Sequence, residues 1–312
     1  MNAILFPGQG SQIVGMGSEF YNNFEIVKQI FEEADEKLQF KISKIILEGP
    51  EDQLKLTQNT QPAILTVSYS IFSVLKKEFN FNFSDTKFFA GHSLGEYSAL
   101  VSSNSLKFKD ALYLLFERGK AMQEAVPVGK GNMIAVLGLK IDELKKLISK
   151  VNIGGVCDIA NDNAEGQIIV SGDIKDINGL QKILKDNKVK SIPLKVSAPF
   201  HCSLMKPAAE KMKDKIKSID FKIPDFEIIC NVTSKAEKDP NKIKDLLVDQ
   251  IFSTVRWRES IINMFDMKVS DFIEIGPGKV LSGMAKRTIK NINCFSINSI
   301  DDMKKTVDEL KK

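Results

Sequence analysis

One serine in this chain lies in a setting that can make it a nucleophile. Ser93 stands between Gly91 and Gly95, after the apolar run Phe88–Ala90 and before an apolar, helix-like segment. This Gly-x-Ser-x-Gly spacing between a strand and a helix is typical of a nucleophile elbow, whose tight turn leaves no room for side chains two residues away. Free N–H groups of the following helix would face a developing oxyanion. The pattern alone is also compatible with a glycine-rich turn that carries a serine of no chemical role.

A serine hydroxyl needs a base, and the chain offers two histidines for that task. His92 is next to Ser93, where successive side chains diverge, so it is badly placed. His201 lies in a loop that we expect to cover a cleft, and we predict that it is the base. No motif selects an acid to orient His201 among candidates such as Asp249 and Asp271, and a backbone carbonyl could take that place.

Arg118 is a candidate binding residue because arginine is rare in this chain. The sequence has four arginines and forty lysines, and Arg118 lies in the middle of an apolar helix predicted over Phe108–Ala125. A charged side chain in such surroundings is costly to bury unless it is paired. One interpretation is a carboxylate-binding residue, and the other is a surface salt bridge with Glu117 or Glu124. The residues alone lead to a serine acyl-transfer or hydrolysis site and no further.

The composition excludes several classes of protein. The 312 residues carry a net charge of +4, with no basic block interleaved with aromatics, so we expect no nucleic-acid partner. No apolar stretch is long enough to cross a membrane, and no basic region followed by an apolar core opens the chain. Four scattered cysteines and two histidines offer no metal-ligand set, which favours reduced thiols in the cytoplasm. Cys202 adjoins His201 and is interpreted as a small packing residue.

The order of strands and helices predicts an α/β fold. Outside the middle of the chain they alternate, which indicates a mostly parallel sheet covered on both faces. Residues 131–195 have the order βαββαβ, which is typical of a ferredoxin-like unit. We predict a turn over Asn161–Gly166 between its two middle strands. We also predict a long helix over Pro62–Phe79, with Pro62 in its first turn.

Taken together, the motifs resemble those of the malonyl-CoA:acyl carrier protein transacylase family over nearly the whole chain. Several independent motifs in the right order are more specific than any one of them. They are Phe6-Pro-Gly-Gln-Gly-Ser-Gln12, Thr60-Gln-Pro-Ala63, Gly91-His-Ser-Leu-Gly-Glu-Tyr97, Arg118-Gly-Lys-Ala-Met-Gln123, Pro199-Phe-His201 and Gly276-Pro-Gly-Lys279.

The resemblance implies a role for individual residues. Ser93 would be the acylated nucleophile, His201 the base, and Arg118 a bidentate partner of the malonyl carboxylate. The main-chain carbonyl of Gln250 would orient His201. Further residues would complete the site: Gln9 and Leu94 through oxyanion-binding N–H groups, and Met122, Asn163 and Val280 as weaker candidates for the pocket wall. Phe200 is larger than some family members have before the histidine, which bears on pocket shape.

The resemblance also implies the architecture and the reaction. Residues 1–127 and 199–312 would form an α/β-hydrolase-like large domain, and residues 128–198 an inserted ferredoxin-like small domain. Malonyl-CoA would be the substrate and acyl carrier protein the partner, with no cofactor, no metal and a monomeric state. Two other functions stay open: an esterase or thioesterase that uses water as acceptor, and a non-enzymatic module that binds a carrier protein.

Overall fold

The computed structural model describes residues 1–151, 154–194 and 196–310. Within these residues, two sheets with packed helices make up the fold. The strands, in chain order, are β1 (Asn2–Phe6), β2 (Thr86–Gly91), β3 (Gly131–Leu137), β4 (Cys157–Ala164), β5 (Gln167–Asp173), β6 (Lys190–Pro193), β7 (Glu227–Ile229), β8 (Ala236–Glu237), β9 (Asp271–Ile275) and β10 (Asn293–Ile297).

Helices cover both sheets. They are α1 (Ser18–Asn23), α2 (Glu25–Leu38), α3 (Ile42–Leu47), α4 (Glu51–Lys55), α5 (Thr57–Lys77), α6 (Gly95–Ser102), α7 (Phe108–Glu124), α8 (Ile141–Ile148), α9 (Ile174–Asp186), α10 (Lys206–Ser218), α11 (Pro240–Gln250), α12 (Trp257–Asp266), α13 (Val280–Thr288) and α14 (Ile300–Leu310), with a single 3₁₀ turn at Ser203–Met205 before α10. Among the described residues, no helix combines the length and apolar character that crossing a membrane requires.

The larger sheet has the strand order β10-β9-β1-β2-β7-β8. Its pairs are parallel except for the antiparallel pair of β7 with β8. Every residue of β1 is buried, as expected for a central strand with helices on both faces. Alternate residues enter two apolar clusters, one with Ile4 and Phe89 and the other with Leu5 and Phe88. The prediction of a mostly parallel sheet is confirmed.

The functional loops follow the carboxyl ends of this sheet. The parallel neighbours β9, β1, β2 and β7 end side by side, and the chain continues into Gly276, Pro7, His92 and Cys230 respectively. Ligands of open α/β sheets usually bind beyond this edge. Segments that are far apart in sequence therefore meet at one place.

The middle of the chain forms the second sheet, with the antiparallel order β4-β5-β3-β6. Helices α8 and α9 pack on one face through an apolar cluster that includes Ile134, Leu144 and Ile177. The strands and helices have the predicted order βαββαβ. Residues 152, 153 and 195 of the predicted insert, and residues 311 and 312 of the predicted large domain, lie outside the described residues.

Two local predictions are wrong. The segment predicted as a turn over Asn161–Gly166 is mostly strand, because β4 continues to Ala164 and pairs with β5. Pro62 is not in the first turn of its helix, because α5 begins at Thr57. The early turns of α5 pack tightly on α7, where a side chain at Gly119 would meet the Gln58 backbone within 2.5 Å. This packing extends the helix ahead of its proline.

Strand β4 joins the two sheets. Its backbone exchanges hydrogen bonds with Val255, which donates to Ala160 (2.9 Å) and accepts from Asp162 (3.0 Å). The Asp162 side chain also pairs with Arg258, whose Nη2 lies 2.9 Å from Oδ2. The second sheet is thus fixed to the segment before α12, and its face closes one side of the cleft.

Candidate active site

Ser93 occupies a strained turn between β2 and α6. Its φ is 53°, in the left-handed region that residues with a side chain rarely adopt. A side chain at Gly91 would lie 1.9 Å from the Gly95 carbonyl, and one at Gly95 would lie 2.2 Å from the Phe6 carbonyl. Both positions therefore require glycine, because neighbouring backbone fills the space. This geometry is that of a nucleophile elbow.

An asparagine after β7 holds the elbow in place. Asn231 Oδ1 accepts from the Ser93 N–H (2.7 Å), and Asn231 Nδ2 donates to the Gly91 carbonyl (2.7 Å). Both contacts are buried, where satisfied hydrogen bonds fix a single arrangement. The sequence analysis did not identify Asn231, whose only signal was its position two residues after β7, beyond the carboxyl end of a parallel strand.

His201 reaches the serine from the loop that returns from the second sheet. Its Nε2 lies 2.8 Å from Ser93 Oγ. Its Nδ1 lies 2.8 Å from the main-chain carbonyl of Gln250. A carbonyl only accepts, so Nδ1 carries the proton and Nε2 is free to accept the serine proton. The structure thus brings together Ser93, His201 and Gln250, and the Gln250 carbonyl takes the place of the acid that would orient the base in a triad.

Burial keeps this histidine neutral. Desolvation, reinforced by the nearby Arg118 guanidinium, lowers the pKa of His201 to about 3, although the hydrogen bond to Gln250 opposes the shift. The imidazole is therefore in its basic form across the neutral and mildly acidic range.

We expect that protonation of His201 does not lower the rate of Ser93 acylation as pH falls from 8 to 5. Protonation removes the base only below its pKa, and that pKa of about 3 lies under this range. The measurement is the rate of adduct formation in rapid-quench mass spectrometry at each pH. A Glu96→Gln variant is the control, because Glu96 is the nearby carboxyl with a pKa near neutrality. An inflection near pH 6.5 that persists in this variant would contradict the expectation.

Arg118 is fully enclosed beside the serine. From α7, its Nη1 donates to Gln61 Oε1 (2.6 Å), and its Nη2 donates to Gln250 Oε1 (2.8 Å) and Ser93 Oγ (3.2 Å). Its side chain is 1% exposed, and no ion pair among the described residues includes it. Burial lowers the pKa of Arg118, but a guanidinium stays charged in proteins.

The alternative of a surface salt bridge is wrong. Glu117 pairs with Lys215 (3.1 Å) and Glu124 pairs with Lys211 (2.9 Å), both away from Arg118. A buried cation that is held only by neutral groups favours an anionic ligand. The cleft therefore presents a buried guanidinium next to the Ser93 hydroxyl, an arrangement suited to an anionic ligand.

The remaining predicted residues line the same cavity. They are Gln9, Leu94, Met122, Asn163 and Val280. The N–H groups of Gln9 and Leu94 donate no hydrogen bond within residues 1–151, 154–194 and 196–310, so they are available to an oxyanion. Asn163 lies in β4, where its Oδ1 is 2.8 Å from His92 Nε2. His92 therefore contacts Asn163, away from the serine hydroxyl.

Other lining residues were not anticipated. Gln61 belongs to a motif that the sequence singled out without assigning its amide a role. The second sheet adds an apolar wall of Met133, Ile169 and Leu194. In the part of the chain that the structure describes, no cluster of three or more His, Cys, Asp or Glu could hold a metal ion. Cys202 is buried and donates to the Pro199 carbonyl (3.0 Å).

Comparison with known proteins assigns the family. A family model described as the acyl transferase domain matches residues 4–312. The chain belongs to the acyl transferase domain family. This acyl transferase is 43% identical over 312 residues to the malonyl CoA-acyl carrier protein transacylase of Bacillus subtilis, covering 99% of this chain and 97% of the relative. It is 38% identical to the Escherichia coli K12 protein of the same name, covering 95% of each.

Solved structures agree with the family assignment. The acyl-carrier-protein S-malonyltransferase of Bartonella henselae superposes with a TM-score of 0.96 at 40% identity, covering 100% of this chain and 99% of that one. A malonyl-transacylase in complex with a type II PKS acyl-carrier protein superposes with a TM-score of 0.95 at 36% identity, covering 99% of each chain. This acyl transferase shares their fold over its full described length.

Proposed function

We propose that this acyl transferase moves a malonyl group from malonyl-CoA to the phosphopantetheine thiol of acyl carrier protein, in fatty acid biosynthesis. One observation carries the proposal: Arg118, which is buried and has no ion pair among the described residues, lies 3.2 Å from the Ser93 hydroxyl. This distance suits a short acyl group with a carboxylate at its far end. The relatives are malonyl transacylases, and one of them is bound to an acyl-carrier protein, which supports the same reaction.

In the first half-reaction, Ser93 Oγ attacks the thioester carbon while His201 Nε2 takes the hydroxyl proton. The negative charge on the thioester oxygen is stabilised by the N–H groups of Gln9 and Leu94. Collapse of this intermediate breaks the carbon–sulfur bond. The leaving CoA thiolate takes the proton from His201, and a malonyl-serine ester remains. The Gln250 carbonyl stabilises the imidazolium that forms between these steps.

The second half-reaction runs the same chemistry in reverse with another thiol. The phosphopantetheine thiol gives its proton to His201 and attacks the ester carbon. The ester oxygen leaves as Ser93 takes the proton back, and malonyl carrier protein is released. Arg118 holds the malonyl carboxylate through both halves, as a bidentate pair that lysine could not reproduce.

A thioesterase or esterase is the second candidate, because the same pair of Ser93 and His201 could pass the acyl group to water. Arg118 argues against it, since a simple esterase needs no group that binds a second carboxylate. A non-enzymatic carrier-binding module would have no use for this assembled base, nucleophile and cation.

The deciding experiment follows the malonyl group through each half-reaction. We expect the enzyme, mixed with malonyl-CoA and desalted, to carry one malonyl adduct by intact-mass spectrometry. Addition of carrier protein with its phosphopantetheine should move that adduct to the carrier. Carrier protein that lacks phosphopantetheine is the matched control and should receive nothing. Release of free malonate without a carrier would identify a hydrolase, and the absence of any adduct or turnover would favour the binding module.

We propose further that residues 1–127 and 199–312 form an α/β-hydrolase-like domain and that residues 128–198 form a ferredoxin-like insert. The parallel order around β1 and β2, and the antiparallel order β4-β5-β3-β6, support this division. We also propose a monomer in the cytoplasm that works without a cofactor, since the mechanism uses only groups of the chain and its two thiol substrates.

A further inference from the structure

Glu96 is a buried carboxylate behind the reacting groups, with no role in the mechanism so far. It lies in the first turn of α6 and is 1% exposed. Its Oε2 accepts from the Asn231 N–H (2.9 Å) and from the side-chain nitrogen of Gln250 (2.8 Å). Its Oε1 has no hydrogen-bond partner among the described residues. A buried carboxylate in which one oxygen accepts two hydrogen bonds is suited to hold both donors in place.

The side chain of Gln250 connects this carboxylate to Arg118. Its Nε2 donates to Glu96 Oε2 (2.8 Å) and to the Ser93 carbonyl (3.1 Å). Its Oε1 accepts from Arg118 Nη2 (2.8 Å). An amide presents a donor at one end and an acceptor at the other. Acceptors on the Nε2 side therefore turn the oxygen toward the guanidinium.

We propose that Glu96 is a positioning residue for Arg118, acting through the side-chain amide of Gln250, and that it thereby contributes to selection of acyl groups with a carboxylate. This inference rests on the proposed function, in which Arg118 binds the malonyl carboxylate. Without the acceptor at Glu96, Gln250 Nε2 keeps only its longer hydrogen bonds to the Ser93 carbonyl (3.1 Å) and Asn231 Oδ1 (3.4 Å), so the amide is held less firmly. The contact of its oxygen that directs Arg118 Nη2 toward the serine is weakened in turn.

Hydrogen bonding, rather than charge, carries this role. Burial raises the pKa of Glu96 to about 7, although hydrogen bonds from Asn231, Gln250 and the Cys230 thiol and the charge of Arg118 oppose the shift. A proton on Oε1, the oxygen that accepts from neither Asn231 nor Gln250, leaves Oε2 as an acceptor. Both forms of the carboxyl group therefore hold Gln250, and a glutamine at position 96 can present its oxygen in the same place.

The test compares substitutions that separate hydrogen bonding from charge. Glu96→Gln keeps an acceptor at the position of Oε2 and removes the charge. Glu96→Asp keeps the charge but withdraws the oxygen by one methylene, and Glu96→Ala removes both. Asp35→Ala is the matched control, because Asp35 is another buried acid that accepts two hydrogen bonds, from Ser43, in a remote part of the fold. Rates of malonyl and acetyl loading from the CoA thioesters are measured by rapid-quench intact-mass spectrometry, with circular dichroism to verify folding.

We expect Glu96→Ala and Glu96→Asp to lower the malonyl:acetyl rate ratio at least about tenfold, the range of one buried hydrogen bond. Glu96→Gln should stay within about threefold of the wild type, and Asp35→Ala should lose stability with an unchanged ratio. Equal losses for both acyl groups in Glu96→Ala, or a Glu96→Gln ratio as low as that of Glu96→Asp, would overturn the inference. Wild-type enzyme that takes up no malonyl group would instead refute the proposed function.

Discussion

Replacing Ser93 with alanine is expected to abolish the malonyl adduct and to lower malonyl transfer by at least about 10⁴-fold, the scale seen when a nucleophile of this type is removed. The hydroxyl oxygen is the atom that bonds to the acyl group. It contacts both His201 and Arg118, and no other side chain of the elbow can replace it there. Alanine removes one oxygen from a turn whose strain is set by its backbone, so the fold should be retained. Intact-mass spectrometry after mixing with malonyl-CoA measures the adduct directly.

Ser98→Ala is the matched control for this substitution. Ser98 is a buried serine within α6, the helix that follows Ser93, and its hydroxyl has no partner among the described residues. We expect it to load malonyl at the wild-type rate. A stoichiometric adduct that survives in Ser93→Ala would show that another nucleophile is acylated, and peptide mapping would then locate it, with Cys202 as the first residue to inspect.

Replacing Arg118 with alanine is expected to reverse the preference between acyl groups. Removing one partner of a buried, hydrogen-bonded charge pair costs about 3–5 kcal/mol, so malonyl loading should fall by about 10² to 4 × 10³-fold. Acetyl loading has no carboxylate to lose and should fall far less. Loading rates from malonyl-CoA and acetyl-CoA, measured side by side by intact mass, give the ratio. An equal fall for both groups would mean that Arg118 supports the fold or the serine rather than the carboxylate.

Two further variants refine this result. Arg118→Lys keeps the charge but lacks the planar fork, so we expect it to recover little of the malonyl preference. Arg256→Ala is the matched control, because Arg256 is a half-exposed arginine that pairs with Glu259 outside the cleft. Its malonyl:acetyl ratio should stay within about threefold of the wild type, as is usual for an exposed ion pair.

The parts of the site that sequence could predict are those set by local spacing or by scarcity. The elbow is local, because Gly91, Ser93 and Gly95 constrain one another within a single turn. His201 could be selected because the chain has one other histidine. Arg118 stood out because lysine fills all but four of the lysine and arginine positions of the chain. In each case the sequence offers few other residues that could carry out the same chemistry.

The parts that sequence reasoning missed depend on contacts between distant segments. Asn231 and Glu96 are in contact although they are 135 positions apart in the chain. The local sequence around one of them does not predict its contact with the other. The extension of β4 through Asn163 comes from pairing with β5, although its asparagines and aspartate resemble a turn. The early start of α5 likewise comes from packing against Gly119, which overrides the expected place of Pro62.

The join between β4 and the segment around Val255 limits how this protein can be recombined. An inserted unit is often treated as a module that can be exchanged through its two connections. Here the exchange would also have to preserve the paired backbone at Val255 and the ion pair of Asp162 with Arg258. A chimera that takes residues 128–198 from a relative therefore has to take the matching stretch from Val255 to Arg258 with them. Two separate segments of the chain must therefore be exchanged together to preserve this cleft.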